Sequence, residues 1–432
     1  MGERNIIGRR TFLKGMTTTG APAMLAQANP NEKIGVAAIG VGTRGHYLLA
    51  ETQKVPNAEI RVICDLYEGN LKRSKDACTN PKVKITKEWE KAIADPDVDA
   101  VIIATPDFWH APMTIRAAQA KKHVYVEKGL CKTLDEAKAI RKAVKENGVV
   151  LQLGHHYNSE PPFHKAREIY RSGQLGKVAV IRTYIDRTRI WPEWQFFTDY
   201  DIVDMPKDAG PQTIDWDRFV ANAPKRPFDA RRFFLWRMYW DYGNGIAGDL
   251  LSHLWDSVNM VASVGIPETC VAQGGSYFWQ DEREVPDQWN AIFDYPKQKL
   301  SVSFNCTFSN RHYGEVCQYL GREKTLEVSP MFCRTFPAEW KPENAEKMAK
   351  QRRAILACES DREGLAPDYC MKPGELQVTP HWQDWLDSIR TRSKPRCDVD
   401  RAFEEAVAML MSVESYKQEK KVRWDAGREL IV

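Results

Sequence analysis

The chain has 432 residues, 43% hydrophobic and 28% charged, with 62 Lys and Arg against 58 Asp and Glu for a net charge of +4. That length supports two or three domains with ample cores, and a near-neutral balance without a basic cluster gives no support for nucleic acid as a partner. Ten cysteines without a Cys-x-x-Cys pair argue against a zinc ribbon or thioredoxin-type site, and no run reaches the roughly 18 apolar residues of a membrane span.

The N-terminus carries Arg9-Arg10-Thr11-Phe12-Leu13-Lys14, a short weakly apolar stretch, and Ala26-Gln27-Ala28, a small-x-small cleavage pattern. Residues 1–28 thus resemble a twin-arginine export signal, which predicts an exported, periplasmic protein that engages the twin-arginine machinery already folded. Disulfides after export stay open, although cargo folded in a reducing cytoplasm does not require them.

Residues 33–47 form an apolar β-type run feeding into Gly40-x-Gly42-Thr43-Arg44-Gly45. Gly40 permits a tight turn, Gly42 lets the backbone approach a pyrophosphate, and Gly45 lets the next helix pack on its strand. A second strand, Ala58 to Asp65, ends in a carboxylate twenty residues beyond Gly45, the spacing at which an acid meets the adenosine ribose hydroxyls. Asp65 favours NAD, since a carboxylate repels the 2′-phosphate of NADP; Lys72 and Arg73 nearby keep NADP open. A folded protein exported around a nucleotide implies that the nucleotide is tightly held.

Up to residue 153 strand and helix alternate. Ala100 to Thr105 and His123 to Glu127 read as buried parallel strands, Thr133-x-x-Glu136 as a capping box opening a helix that stops near Asn147-Gly148, and Val149 to Leu153 as another strand. The sum is a Rossmann-type doubly wound domain over 29–153. From 154 to 432 the rhythm changes: a helix over Pro162 to Ser172, a strand over Val178 to Ile185, a long aromatic segment, then strand-like runs at Cys270–Trp279, Trp289–Tyr295, Leu300–Phe308 and Cys317–Glu327. Strands following strands predict an α+β domain with an open, mainly antiparallel sheet. Lys341–Glu359 is charged and reads as a surface insertion, and Pro380–Arg392 and Asp400–Gln418 read as two helices closing this second domain.

The glycine turn, then Ala104-Thr105-Pro106, Trp109-His110, Glu127-Lys128-Gly129 and Gly248-Asp249-x-x-x-His253, occur in an order that resembles the glucose–fructose oxidoreductase / inositol dehydrogenase / MocA family. The resemblance implies a Rossmann domain joined to an open sheet, substrate between them, and NAD(P)-dependent oxidation or reduction of sugars and cyclitols. It places Lys128 beside the nicotinamide and makes Asp249 and His253 the family's helix pair; Thr43, Arg44, Thr105, Pro106 and Glu127 fall on the cofactor side. Gly129 departs from the family's usual proline. Open sheets in the family pair across a dimer, so a homo-oligomer is expected.

Oxidising a secondary alcohol requires a base for the hydroxyl proton and a cation for the developing alkoxide. His253 and Lys128 supply these. Asp249, four residues before His253 and so on the same helix face, either accepts from a neighbouring sugar hydroxyl or orients the histidine. His156 and Asn158 follow a strand's carboxyl end and read as substrate contacts, His156 equally well as an interdomain histidine. His110 reads as lining the cofactor side or capping the next helix. In the aromatic segment 233–243, Trp240 and Tyr242 are candidate sugar platforms, and Arg237 either holds substrate or pairs with Asp241. No ligand set has metal spacing. The leading expectation is an exported sugar, cyclitol or glycoside oxidoreductase; the alternatives are an NAD-dependent glycosidase working by transient ring oxidation and elimination, and a catalytically silent sugar-binding protein.

Overall fold

The computed structural model describes residues 33–338 and 367–432. The twin-arginine segment 1–28 and the charged segment 341–359 lie outside the described residues. Among the described residues no helix is long and apolar enough to cross a membrane, and the nine described cysteines are free thiols.

The N-terminal half is a six-stranded parallel sheet, β1 (Ile34–Ile39), β2 (Ala58–Cys64), β3 (Lys84–Thr86), β4 (Ala100–Ile103), β5 (His123–Val126) and β6 (Leu151–Leu153), in the order β3-β2-β1-β4-β5-β6. β1, β4, β5 and β6 are buried at every position, as apolar runs covered on both faces must be. The capping box forms: the Thr133 hydroxyl accepts from the Glu136 N–H, the Glu136 carboxylate from that of Thr133, and Gly148 ends the helix in the left-handed region.

The second sheet has ten strands, with β7 (Val178–Asp186) and β10 (Leu300–Thr307) at its centre. Those two run parallel, whereas every other pairing is antiparallel. Alternating burial along β10 and along β9 (Gln288–Tyr295) marks one face covered by helices and one open, with Val271 and Ile292 exposed. The run Cys317–Glu327 is not one strand but parts of two, β11 (Glu315–Gly321) and β12 (Lys324–Ser329), because a two-residue turn reverses the chain between them.

Helix His381–Thr391 does not close the second domain; Trp382, Trp385, Leu386 and Ile389 join Val36, Ala38, Ile60 and Tyr125 in a core on the Rossmann sheet. Tyr125 stacks obliquely on Trp382 at 4.7 Å, so the chain returns late to cover a sheet face that its first half leaves apolar. Helix Val399–Gln418 does pack on the second sheet.

Residues 187–243 fold back over the first domain. Asp215 N–H donates to the Leu66 carbonyl at 3.0 Å, Glu68 N–H to that of Thr213 at 3.1 Å, Tyr67 Oη to Asp208 at 2.6 Å, and Trp109 Nε1 to the Phe219 carbonyl at 3.0 Å. The segment thereby grips the loops after β2 and β4, which flank the glycine turn.

Candidate active site

Gly40 has φ +78°, and a Cβ on Gly45 would stand 1.8 Å from the Gly40 carbonyl oxygen, so turn and helix close together only as glycines. A Cβ on Gly42 would meet nothing nearer than Asn70 Nδ2 at 3.7 Å, leaving space at the N-terminus of helix Thr43–Gln53, where backbone N–H groups favour a phosphate. Asp65 lies at the end of β2, accepting from Val41 N–H at 2.8 Å, Tyr67 N–H at 2.9 Å and Asn70 at 3.3 Å. Burial pushes its carboxyl up, and these donors oppose the rise. Arg73 donates to the Thr198 and Val41 carbonyls.

A cavity runs past Gly40, Gly42, Thr43, Arg44, Asp65, Thr105 and Pro106, and Phe197, Phe219, Phe233 and Phe234 of the returning segment also line it. Its phosphate donors and ribose-side acid fit a dinucleotide.

A second, polar cavity adjoins it, and Arg44, Phe196 and Arg237 line both. Arg44 Nε donates to Glu127 at 2.7 Å; burial alone would weaken the Arg44 cation, but the Glu127 carboxylate raises its pKa overall. Lys128 Nζ donates to the Asp249 carboxylate and, at 3.0 Å, to the Asp249 carbonyl. Asp249 also accepts from Trp194 Nε1 at 2.8 Å and Arg237 Nε at 3.2 Å. Burial would raise the Asp249 pKa, but Lys128 and Arg237 hold it far below the usual carboxylate range. The Lys128–Gly129 peptide is cis.

His253 opens helix Ser252–Ala262, while Asp249 sits in the π-helical turn Ala247–Leu251 before it. The four-residue spacing brings both to the cavity, although not on a continuous α-helix as expected. Burial, followed by the charges of Lys128, His155 and His156, pushes the His253 imidazole well below its ordinary pKa, so it stands neutral in the empty site. His156 lines the same cavity, its pKa pushed down to about 4 chiefly by burial and then by Arg44.

Other expected contacts fall elsewhere. Asn158 is buried, donating to Asp256 at 2.7 Å and accepting from Arg401 at 2.9 Å, and is structural. Tyr242 is fully buried between Phe108 and Phe219. Trp240 faces away from both cavities, donating to the Glu284 carbonyl and stacking on Tyr416. His110 lines neither cavity; it braces two loops, Nδ1 at 2.7 Å from the Gly129 carbonyl and Nε2 at 2.8 Å from that of Thr105. Arg237 pairs with Asp249, not with Asp241, which binds Arg226 at 2.7 Å. Glu127 and Lys128 line the polar cavity and not the dinucleotide cavity. Conversely Tyr157, Arg187 and Trp194 line the polar cavity; the aromatic enrichment after β7 hinted at Trp194, and no signal pointed to Tyr157 or Arg187.

Residues 34–155 match the Gfo/Idh/MocA oxidoreductase family's NAD-binding Rossmann fold, residues 162–265 match that family's C-terminal alpha/beta domain, and together they make more than half of the chain. The chain belongs to the Gfo/Idh/MocA oxidoreductase family. Within it, the chain is similar to levoglucosan dehydrogenase of Pseudarthrobacter phenanthrenivorans, 29% identical over 44% of this chain and 42% of that protein. It is likewise similar to the NAD⁺-dependent scyllo-inositol 2-dehydrogenase of Bacillus subtilis, 33% identical over 33% of this chain and 41% of that one. These matches span about two fifths of the relatives' length. A solved levoglucosan dehydrogenase in complex with NADH and levoglucosan superimposes with TM-score 0.66 at 18% identity, covering 91% of this chain and 99% of that one, which establishes a shared Gfo/Idh/MocA fold.

Proposed function

We propose that this chain is an exported, NAD-dependent oxidoreductase acting on a secondary hydroxyl of a sugar, cyclitol or glycoside, with its nucleotide tightly held and recycled. The observation that carries the reading is the convergence of Lys128, Asp249 and His253 in a polar cavity that meets the dinucleotide cavity at Arg44 and Arg237. The similarity to sugar and cyclitol dehydrogenases supports the substrate class.

Bound NAD would accept hydride from the carbinol carbon. Gly40, Gly42, Thr43, Asp65, Thr105 and Pro106 would hold it. His253 takes the hydroxyl proton, and Lys128, oriented by Asp249, stabilises the oxyanion. Because Asp249 already spreads its charge over Lys128, Arg237 and Trp194, it serves to fix the cations rather than to move a proton. His156 and Arg237 are positioned to hold neighbouring hydroxyls.

The lining of Phe197, Phe219, Phe233 and Phe234 favours a nucleotide that stays bound between turnovers. An exported enzyme has no maintained NAD pool outside the cytoplasm, so the same hydride must be returned, either to a second sugar or to the same ring after elimination of an aglycone. The second route would make the protein an NAD-dependent glycosidase. Incubation with nitrophenyl glycosides, while the near-ultraviolet absorbance of reduced nicotinamide is followed over a panel of sugars, distinguishes the two. Replacing Arg9 and Arg10 with lysine tests export: the precursor should remain in the cytoplasm, and normal export would refute the periplasmic assignment. The exposed Val271 and Ile292 on the open sheet favour a homo-oligomer, to be checked by light scattering.

A further inference from the structure

Behind His253 lies a buried file of titratable groups that the mechanism above does not use. His253 Nδ1 is 3.3 Å from His155 Nδ1, and His155 Nε2 is 4.0 Å from a carboxylate oxygen of Glu405, on the helix that packs against the second sheet. His155 and Glu405 are both completely buried. Neither His155 Nε2 nor either Glu405 oxygen has a hydrogen-bond partner among the described residues. Buried carboxylates are normally satisfied, so an acid aimed at one imidazole and nothing else calls for a reason.

We infer that Glu405 and His155 are positioning residues that set the tautomer of His253 and share the charge of the proton it abstracts. A neutral imidazole carries one N–H. An N–H on His155 Nε2, favoured by the Glu405 carboxylate 4.0 Å away, leaves His155 Nδ1 as an acceptor. That acceptor, 3.3 Å from His253 Nδ1, selects the form of His253 protonated there. Its Nε2, which faces no protein partner among the described residues, is then the bare base toward the substrate cavity. When the hydroxyl proton reaches His253 Nε2, the Nδ1 proton passes to His155 Nδ1, and the Glu405 carboxylate, 4.0 Å from His155 Nε2, stabilises the imidazolium so formed. Two bonds to hydrogen break, two form, and no electron moves in this file. In the returning half of a redox-neutral cycle the proton retraces the path, so the site need not exchange it with solvent.

The electrostatic setting is consistent. Burial, aided by the charges of Asp256 and Asp107, raises the Glu405 pKa against the lowering influence of His155. Lys128, His156 and Arg44 crowd His253 from the cavity side and disfavour a lasting imidazolium there. The thiols of Cys131 and Cys397 are also near Glu405, and burial keeps both protonated. Asp256 is neutralised by Arg401 at 2.7 Å, leaving Glu405 without a cation of its own.

The inference rests on the oxidoreductase reading for its purpose but not for its test. Nitrogen NMR of the nucleotide-loaded, histidine-labelled protein reports the tautomer of His253 directly. The expected result is the form protonated on Nδ1, weakened or mixed in Glu405→Gln; a wild-type His253 protonated on Nε2 overturns the relay and needs no variant to fold. In turnover, Glu405→Gln should lower kcat by a factor on the order of 10² with KM and bound nucleotide unchanged, and should displace the acid limb of the kcat profile. A folded Glu405→Gln protein with wild-type kcat and pH profile also overturns it. If no sugar or glycoside is turned over by the wild type, the oxidoreductase reading fails, and the tautomer still decides the relay.

Discussion

Trp194 donates its indole N–H to Asp249 at 2.8 Å from a backbone held at φ +72°, in the left-handed region that residues with side chains seldom occupy. Such a conformation costs on the order of 1–3 kcal/mol and persists where surrounding contacts enforce it. Here the side chain is 3% exposed and packs edge-on against Phe308 at 5.0 Å. The contact fixes the carboxylate that in turn fixes Lys128. Trp194→Phe keeps most of the packing and removes the donor, so kcat should fall about 3- to 10-fold, the equivalent of one net hydrogen bond, with nucleotide content unchanged. Steady-state kinetics on the purified variant checks this; an unaltered kcat would show that Asp249 needs no third donor.

Lys128→Met and His253→Asn should each cut turnover by a factor on the order of 10² to 10⁴ while fold and bound nucleotide survive. Asp249→Asn should behave differently, losing stability as well, because Lys128 and Arg237 would be left close together and partly buried without their counter-charge. Urea unfolding alongside kinetics separates the cases, and equal stability of all three variants would contradict the assigned ion-pair network.

Asp65→Ala should weaken NAD more than NADP, narrowing the preference, because the carboxylate both faces the ribose side of the cavity and would repel a 2′-phosphate. Asp65 also holds the Val41 and Tyr67 amides, so total affinity should drop for both nucleotides. Titration of nucleotide-free protein with each cofactor measures the ratio; an unchanged ratio would place the discriminating group elsewhere.

Acid should destabilise the fold before it protonates the site. His156 titrates near about 4 in the fold, against roughly 6.5 in an unfolded chain. Between those values the unfolded state binds the extra proton, so stability falls as pH drops from about 6.5 toward about 4 and the loss levels off below that. The urea midpoint should therefore decline between pH 7 and pH 5, and His156→Gln should decline less. Parallel declines would mean that His156 is not held neutral by the fold.

Much of the molecule was legible because its local chemistry is strict. The glycine turn, Asp65, the Thr133 capping box and the parallel-strand runs each depend on residues within a few positions of one another. Lys128, Asp249, His253 and His156 were legible as identities, and the fold brings them to one cavity. What could not be read was long-range. The return of helix His381–Thr391 to the Rossmann sheet depends on Trp382 and Trp385 finding Tyr125, more than 250 residues earlier in the chain. Asn158, Tyr242 and Trp240 carry side chains suited to sugar contact, but their partners, Arg401, Phe108 and Tyr416, come from distant elements and turn them into core or surface supports. Glu405 gave no signal at all, since a single glutamate in a helix reads as solvated until its neighbours are known.

The central claim, a resident nucleotide serving hydroxyl chemistry at Lys128 and His253, is tested most directly on protein purified without added cofactor. Acid or heat release followed by chromatography should yield close to one NAD(H) per chain, and the same preparation should convert a sugar or glycoside through many turnovers with nothing supplied. Protein that purifies empty and consumes soluble NAD once per turnover would contradict the account.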